Sequence, residues 1–193
     1  GKLDGQGIPP DFFSDSNVRK GFAHAFDYDS FIQDVLQNNG TQQNTITIQG
    51  LIGYTDSAPR YEHDTAKAEE FFKAAWDGQV WENGFSFPVF FNSGNTTRQQ
   101  GLEIMKRSVE ALNPKFKIDV RELQFSQILT QSSANQLTMW MGSWGADFAD
   151  PHSFAQPFLD TNGRYAQDIV YSNPKLDKLI AEAVLETDAE KRA

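Results

Sequence analysis

The spacing of apolar positions changes several times along the chain, and the changes mark its elements. Residues 16–26, SNVRKGFAHAF, and 27–40, DYDSFIQDVLQNNG, carry helical spacing. Asp27 is placed to cap the second helix, with Asn38 to Gly40 as its stop and Phe31, Ile32 and Val35 sharing an inward face. TITIQGLIGY, residues 45–54, alternates weakly and predicts a short strand that runs into a loop through Pro59. HDTAKAEEFFKAAW, residues 63–76, predicts a helix capped by Asp64 that buries Ala68, Phe71, Phe72 and Ala75.

The next stretch carries the architecture. FSFPVFFN (85–92) reads as a strand, NTTRQQGLEIMKRSVEAL (95–112) as a helix and FKIDVREL (116–123) as a strand. SQILTQSSA (126–134) then reads as a short helix and LTMWMGSW (137–144) as a third strand. A β-α-β-α-β order implies parallel pairing through right-handed crossovers, hence an α/β layer fold. A helix over DPHSFAQPFLD and a closing helix over SNPKLDKLIAEAVLE complete the pattern. In the closing helix Asn173 caps, Pro174 takes the first position, and Leu176, Leu179 and Ile180 face inward.

Composition narrows the class. Of 193 residues, 39% are hydrophobic and 13% aromatic, which suits a folded globular chain with its own core. A net charge of −9 argues against a nucleic-acid partner, whose phosphates call for basic patches. No apolar run reaches the roughly 18 residues of a membrane span. The absence of cysteine excludes disulfides and thiolate sites. Residues 1–15 read as an irregular lead-in without a signal-peptide pattern. The chain starts without methionine and stops inside a helical pattern, LETDAEKRA, so it reads as a piece of a longer protein.

In open α/β sheets, ligands bind beyond the carboxyl ends of the parallel strands. GSWGADFADP, residues 142–151, falls there. Asp150, before Pro151 and a helical pattern, is most simply a cap. Asp147 has no such duty, and either makes a local Asx turn or presents an anion to a cationic ligand group. Flanking Trp144 and Phe148 would desolvate it, and Trp144 can also offer its indole N–H to a ligand. Trp140 suits core packing between sheet and helix.

Enzymatic signatures fit less well. MGSWG fails the Gly-x-Ser-x-Gly spacing of a nucleophile elbow. His24, His63 and His152 lie in separate segments without the i, i+4 pairing of a helical zinc motif, so neither metal nor cofactor is expected. NSGNTTRQQG fits neither a Walker loop nor GxGxxG. Two Asn-x-Thr sequons, at Asn39 and Asn95, matter only in a eukaryotic secretory setting. Asp147 with Asp150 is a carboxylate pair that a glycosidase could use, and aromatic platforms suit sugar rings. A carbohydrate-binding or carbohydrate-hydrolysing module is therefore the alternative reading.

Five segments in register resemble one family. VRKGFAHAFDYDSFI, HDTAKAEEFF, the strand–helix–strand stretch from FPVFFN to FSQIL, GSWGADFADPHSFAQPFL and YSNPKLDKLIAEA are similar to the extracellular solute-binding proteins of peptide-type ABC transporters, solute-binding family 5. The resemblance implies a periplasmic-binding-protein-like fold, type II-like, in which two lobes close on a ligand. Residues 16–193 would form a single α/β lobe, the C-terminal-side one, with the first lobe elsewhere in the same protein. It further implies a binding component of an importer and not an enzyme. Such a protein works as a monomer, free in the periplasm or outside the cell or anchored there as a lipoprotein, and hands peptides or similar small solutes to a membrane permease. In peptide binders of the family the Asp of a Trp-x-Ala-Asp loop accepts the ligand α-amino group. Those residues fall on Trp144, Ala146 and Asp147, with Phe148 beside them as a wall. Ser143 stands where glycine is usual, and the strand Met139–Trp140–Met141 carries no base to meet a ligand carboxylate. Members also take nickel complexes, sugars and other solutes, so the fold alone does not name the ligand.

Overall fold

The computed structural model describes residues 2–192. They divide into two compact units: residues 2–42, 61–129 and 137–142 in the first, and 43–60, 130–136 and 143–192 in the second.

The first unit opens with a 3-10 turn, Phe12–Ser14, that buries Phe12, followed by α1 (Ser16–Ala25). Next comes α2 (Tyr28–Ser30), which runs on as a π-helical turn, Phe31–Val35. Then follow α3 (Thr65–Ala74), α4 (Gln79–Asn83), β1 (Phe85–Asn92), α5 (Thr96–Leu112) and β2 (Phe116–Leu123). Short polar side chains start the helices, at Asp27 and Asp64 as the sequence predicts and at Asn95 as well. Asp27 accepts the Ser30 N–H at 3.0 Å, Asp64 that of Lys67 at 3.0 Å, and Asn95 that of Arg98 at 3.0 Å. Each satisfies a donor that the helix itself leaves unpaired. Helix α6 (Phe125–Ser133) carries the chain onward.

Alternation along β1 builds the core of this unit. Phe85, Phe87, Val89 and Phe91 are buried, and the residues between them are only half so. β1 pairs in parallel with β2, in register from Phe85 with Phe116 to Asn92 with Leu123. Across that pair Phe85 stacks on Phe116, centroids 4.3 Å apart. Phe12, Phe22 and Phe72 close round them, with Phe22 edge-on to Phe72 at 5.2 Å. Each fully buried ring removes enough apolar surface to favour folding by roughly 2 kcal/mol. α1 packs on α3, while α5 packs along both strands.

Among the described residues the sheet has two strands, not the three expected. The stretch predicted as the third, 137–144, reduces to one parallel bridge between Phe90 and Trp140. Phe90 donates to the Met139 carbonyl at 3.0 Å and accepts from the Met141 N–H at 2.9 Å. Two residues earlier the same edge presents Pro88, which has no N–H, and the Thr138 hydroxyl takes its carbonyl instead. Two residues later the Asn92 carbonyl accepts the Asn95 N–H within the turn into α5. The ladder is interrupted on both sides of a single rung. Trp140 is half-buried there.

In the second unit lie α7 (His152–Leu159), α8 (Arg164–Asp168), α9 (Pro174–Leu185) and α10 (Ala189–Arg192). α7 packs on α8 and on α9. Asp177 of α9 accepts both the N–H and the hydroxyl of Thr161, at 2.8 and 2.7 Å, which fixes the α7–α8 connection. Asn173 caps α9 and Pro174 opens it, as predicted. Its inward face is narrower than expected, however. Ile180 is buried and Leu176 half-buried, whereas Leu179 is 58% exposed, because the buried stripe follows 176, 180 and 183. The strand expected at 45–54 is also absent. That segment folds into turns, with the Leu51 N–H on the Ile48 carbonyl and the Tyr54 N–H on the Leu51 carbonyl. The Thr45 hydroxyl adds a bond to the Thr47 carbonyl within the same segment.

Gly84 at the head of β1 has φ +77°, and a Cβ there would lie 2.3 Å from the Lys115 carbonyl oxygen. Gly94 has a similar φ of +80° but nothing within 4 Å of the same position. Gly84→Ala is therefore expected to cost about 2 kcal/mol more than Gly94→Ala, which carries only the backbone strain of about 1 kcal/mol. Urea unfolding of the two variants checks this, and equal losses would contradict the packing assigned to Gly84.

Candidate functional site

The loop after the Phe90 bridge carries all four residues singled out by sequence. Ala146, Asp147 and Phe148 are exposed, Phe148 to 53%, and Trp144 is 36% exposed. Trp144 and Phe148 do not enclose Asp147, so the expected desolvation is not provided by this loop alone. Of the two alternatives for Asp147, the local Asx turn is not formed. Among the described residues the Asp147 carboxylate has no hydrogen-bond or ionic partner, while its N–H donates to the Ser153 hydroxyl at 3.0 Å.

Trp144 is anchored and not free to serve a ligand with its N–H. Its indole N–H donates to the Ser153 carbonyl at 2.8 Å, which corrects that part of the sequence reading. The bond exists because of a proline. Ser153 lies in the first turn of α7, where its carbonyl would ordinarily accept the N–H four residues on. That residue is Pro157, inside the helix and without a donor. Trp144 supplies the missing donor. Its ring then stands edge-on to Phe158 at 6.0 Å and to Tyr165 at 5.6 Å, themselves stacked at 4.8 Å.

Asp150 is wholly occupied. It accepts two hydrogen bonds from the Arg192 guanidinium, at 2.6 and 2.7 Å, and one from the His152 N–H at 2.8 Å. The bonds from Arg192 above all, with the His152 N–H, hold its carboxyl below the ordinary 3.8 despite an opposing effect of burial. The helix itself begins at His152, so Asp150 acts as a cap from one residue outside the expected position. Two carboxylates three residues apart thus have opposite situations, one spent and one open.

Sequence reasoning missed Ser153, Pro157, Phe158, Tyr165 and Arg192. One signal was available: a proline four residues after Ser153 in a helical pattern leaves that carbonyl in want of a donor. No pattern links Arg192 to Asp150 across 42 positions.

Among the described residues no group of three His, Asp or Glu side chains is placed to hold a metal ion, and no helix is long and apolar enough to cross a membrane. What the loop offers is one uncommitted carboxylate on a braced backbone, beside an aromatic cluster. Such a group can accept hydrogen bonds from a ligand cation.

A family model described as bacterial extracellular solute-binding proteins, family 5, middle region, matches residues 8–166. The chain belongs to that family. Among family 5 relatives it is 25% identical over 179 residues to a probable D,D-dipeptide-binding periplasmic protein of Escherichia coli, covering 92% of this chain and 33% of that protein. It is 23% identical over 181 residues to the oligopeptide-binding protein OppA of Bacillus subtilis, with the same coverage of 92% and 33%. The chain therefore spans about a third of the length of the curated relatives it matches. The fold is shared with a dipeptide-binding protein of Pseudoalteromonas in complex with Met-Leu, at TM-score 0.81 and 20% identity over 96% of this chain and 36% of that one. It is also shared with the DppA periplasmic binding protein of Helicobacter pylori in complex with the peptide STSA. There the TM-score is 0.79 at 22% identity over 94% of this chain and 35% of that one. Family 5 membership and these neighbours establish the periplasmic-binding-protein type of α/β fold that the sequence implied.

The Asp150–Arg192 pair yields a pH prediction. Because the folded-state value of Asp150 is lowered, its contribution is present above 3.8 and is lost as the pH falls below that value. Arg192→Ala should cost about 1 kcal/mol of stability near neutral pH and nothing measurable once Asp150 is protonated. Chemical denaturation of both proteins across that range checks it. A cost that persists in acid would contradict the ion pair.

Proposed function

We propose that residues 16–193 act as one lobe of a two-lobed solute-binding protein serving an ABC importer, with Asp147 accepting the α-amino group of a short peptide. The observation that carries this reading is the uncommitted Asp147 carboxylate on a loop held by the bonds of the Trp144 indole, the Asp147 N–H and the Asp150 carboxylate. Family 5 membership supports it, as do relatives named for dipeptide and oligopeptide binding. A net charge of −9 suits a cationic ligand group. Trp144, Ala146 and Phe148 line the site beside Asp147, and the second lobe, in the remainder of the protein, supplies the cover that this loop lacks. Peptide backbone is then held by hydrogen bonding in the manner of strand addition, with permissive side-chain pockets.

The protein is a monomeric binding module without chemistry of its own. It works in the periplasm or outside the cell, in free or lipid-anchored form, and in its closed form docks on a membrane permease. Ligand favours closure by contacting both lobes at once. Nothing in the geometry or among the relatives favours the carbohydrate alternative. A hydrolase would need one carboxyl of the Asp147–Asp150 pair raised to act as acid, whereas Asp150 is lowered and fully engaged by Arg192.

The test is calorimetry on the intact protein with a pool of di-, tri- and tetra-alanine, and with the same pool N-acetylated. Acetylation, or Asp147→Asn with the free peptides, should weaken binding about 10- to 100-fold, the size of one charge-assisted hydrogen bond. Equal affinity for both pools would overturn the amine assignment.

A further inference from the structure

Resting on that reading of Asp147, we propose that Ser153, with Pro157 one turn further on, is the positioning residue of the ligand loop. Ser153 is 5% exposed, yet three of its polar atoms are turned to the loop. Its hydroxyl accepts the Asp147 N–H at 3.0 Å, its carbonyl accepts the Trp144 indole N–H at 2.8 Å, and its own N–H donates to the Asp150 carbonyl at 3.1 Å. One buried residue thus ties down the wall, the anion and the far end of the loop.

The consequence is chemical as well as geometric. Aspartate side chains in loops readily fold back onto nearby backbone N–H groups, their own included, and each such bond occupies a carboxylate oxygen. The Ser153 hydroxyl meets the Asp147 N–H and so removes the nearest such donor, leaving both carboxylate oxygens for a ligand ammonium. Without the hydroxyl, the loop N–H would compete with the ligand for the same oxygen. Pro157 acts on the other bond. A residue with an N–H at that position would close the ordinary helical hydrogen bond to the Ser153 carbonyl, and Trp144 would have to share its acceptor. Ser153 and Pro157 touch no ligand in this account; they hold the residues that do.

The experiment uses the intact protein, its Ser153→Ala, Ser153→Thr and Pro157→Ala variants, and the free and N-acetylated alanine pools. The reading is the ratio of the two affinities, alongside the exchange rate of the Asp147 amide proton by NMR. Ser153→Ala should reduce the preference for free amines by about three- to tenfold and accelerate Asp147 exchange, and Ser153→Thr, which keeps the hydroxyl, should restore both. Pro157→Ala should lower the preference in the same direction and expose the Trp144 indole N–H to solvent exchange. Ser153→Ala with wild-type preference and wild-type Asp147 exchange would overturn the positioning role while leaving the amine reading intact. An equal loss of affinity for both pools would also overturn it, since that is the mark of general structural damage. A wild-type protein indifferent to acetylation removes the amine reading itself, and this proposal with it.

Discussion

Two backbone donors that proline withholds shape the loop that carries Asp147. At Pro88 the missing N–H helps cut the third strand to a single rung at Phe90, so the chain leaves the sheet almost as soon as it meets it. At Pro157 the missing N–H leaves the Ser153 carbonyl open within α7, and the Trp144 indole fills it. A buried acceptor without a partner costs about 1–3 kcal/mol, which sets the strength of the constraint. The loop between these two points is irregular in backbone but not loose, because its ends are set by hydrogen bonds that regular structure leaves over.

Within that loop the electrostatics separate neighbours of the same type. Asp150 is bound bidentately by Arg192 and capped by an N–H, and its charge is consumed in holding the loop to the last helix. Asp147, three residues earlier, has its N–H satisfied and its carboxylate unspent. A protein that needed both carboxylates for chemistry would not neutralise one of them in this way. One that needs a single fixed anion gains from doing so, because the tethered aspartate stiffens the backbone on which the free one sits.

Much of the fold was legible in the sequence because it rests on local rules. The caps at Asp27, Asp64 and Asn173 follow from short polar side chains meeting helical spacing, and FSFPVFFN read as the strand that β1 is. The failures came where a non-local partner decided the outcome. Residues 45–54 alternate like a strand, but no ladder is available and their backbone turns on itself. The stretch 137–144 is apolar enough for a strand, and its length was limited by a proline on the neighbouring strand. At the site, Trp144 and Asp147 were readable from their loop. Their anchoring on Ser153 was readable only in part, through the spacing to Pro157, and the Arg192 tether had no local signature.

The central claim is that Asp147 is the fixed anion that receives a ligand amine. A crystal structure of the intact protein grown with trialanine tests it most directly. The account predicts the peptide's terminal nitrogen within about 3 Å of an Asp147 carboxylate oxygen, with the Ser153 bonds to Trp144 and Asp147 unbroken. A bound peptide whose amine meets another group, or faces solvent while Asp147 stays unpaired, would contradict it.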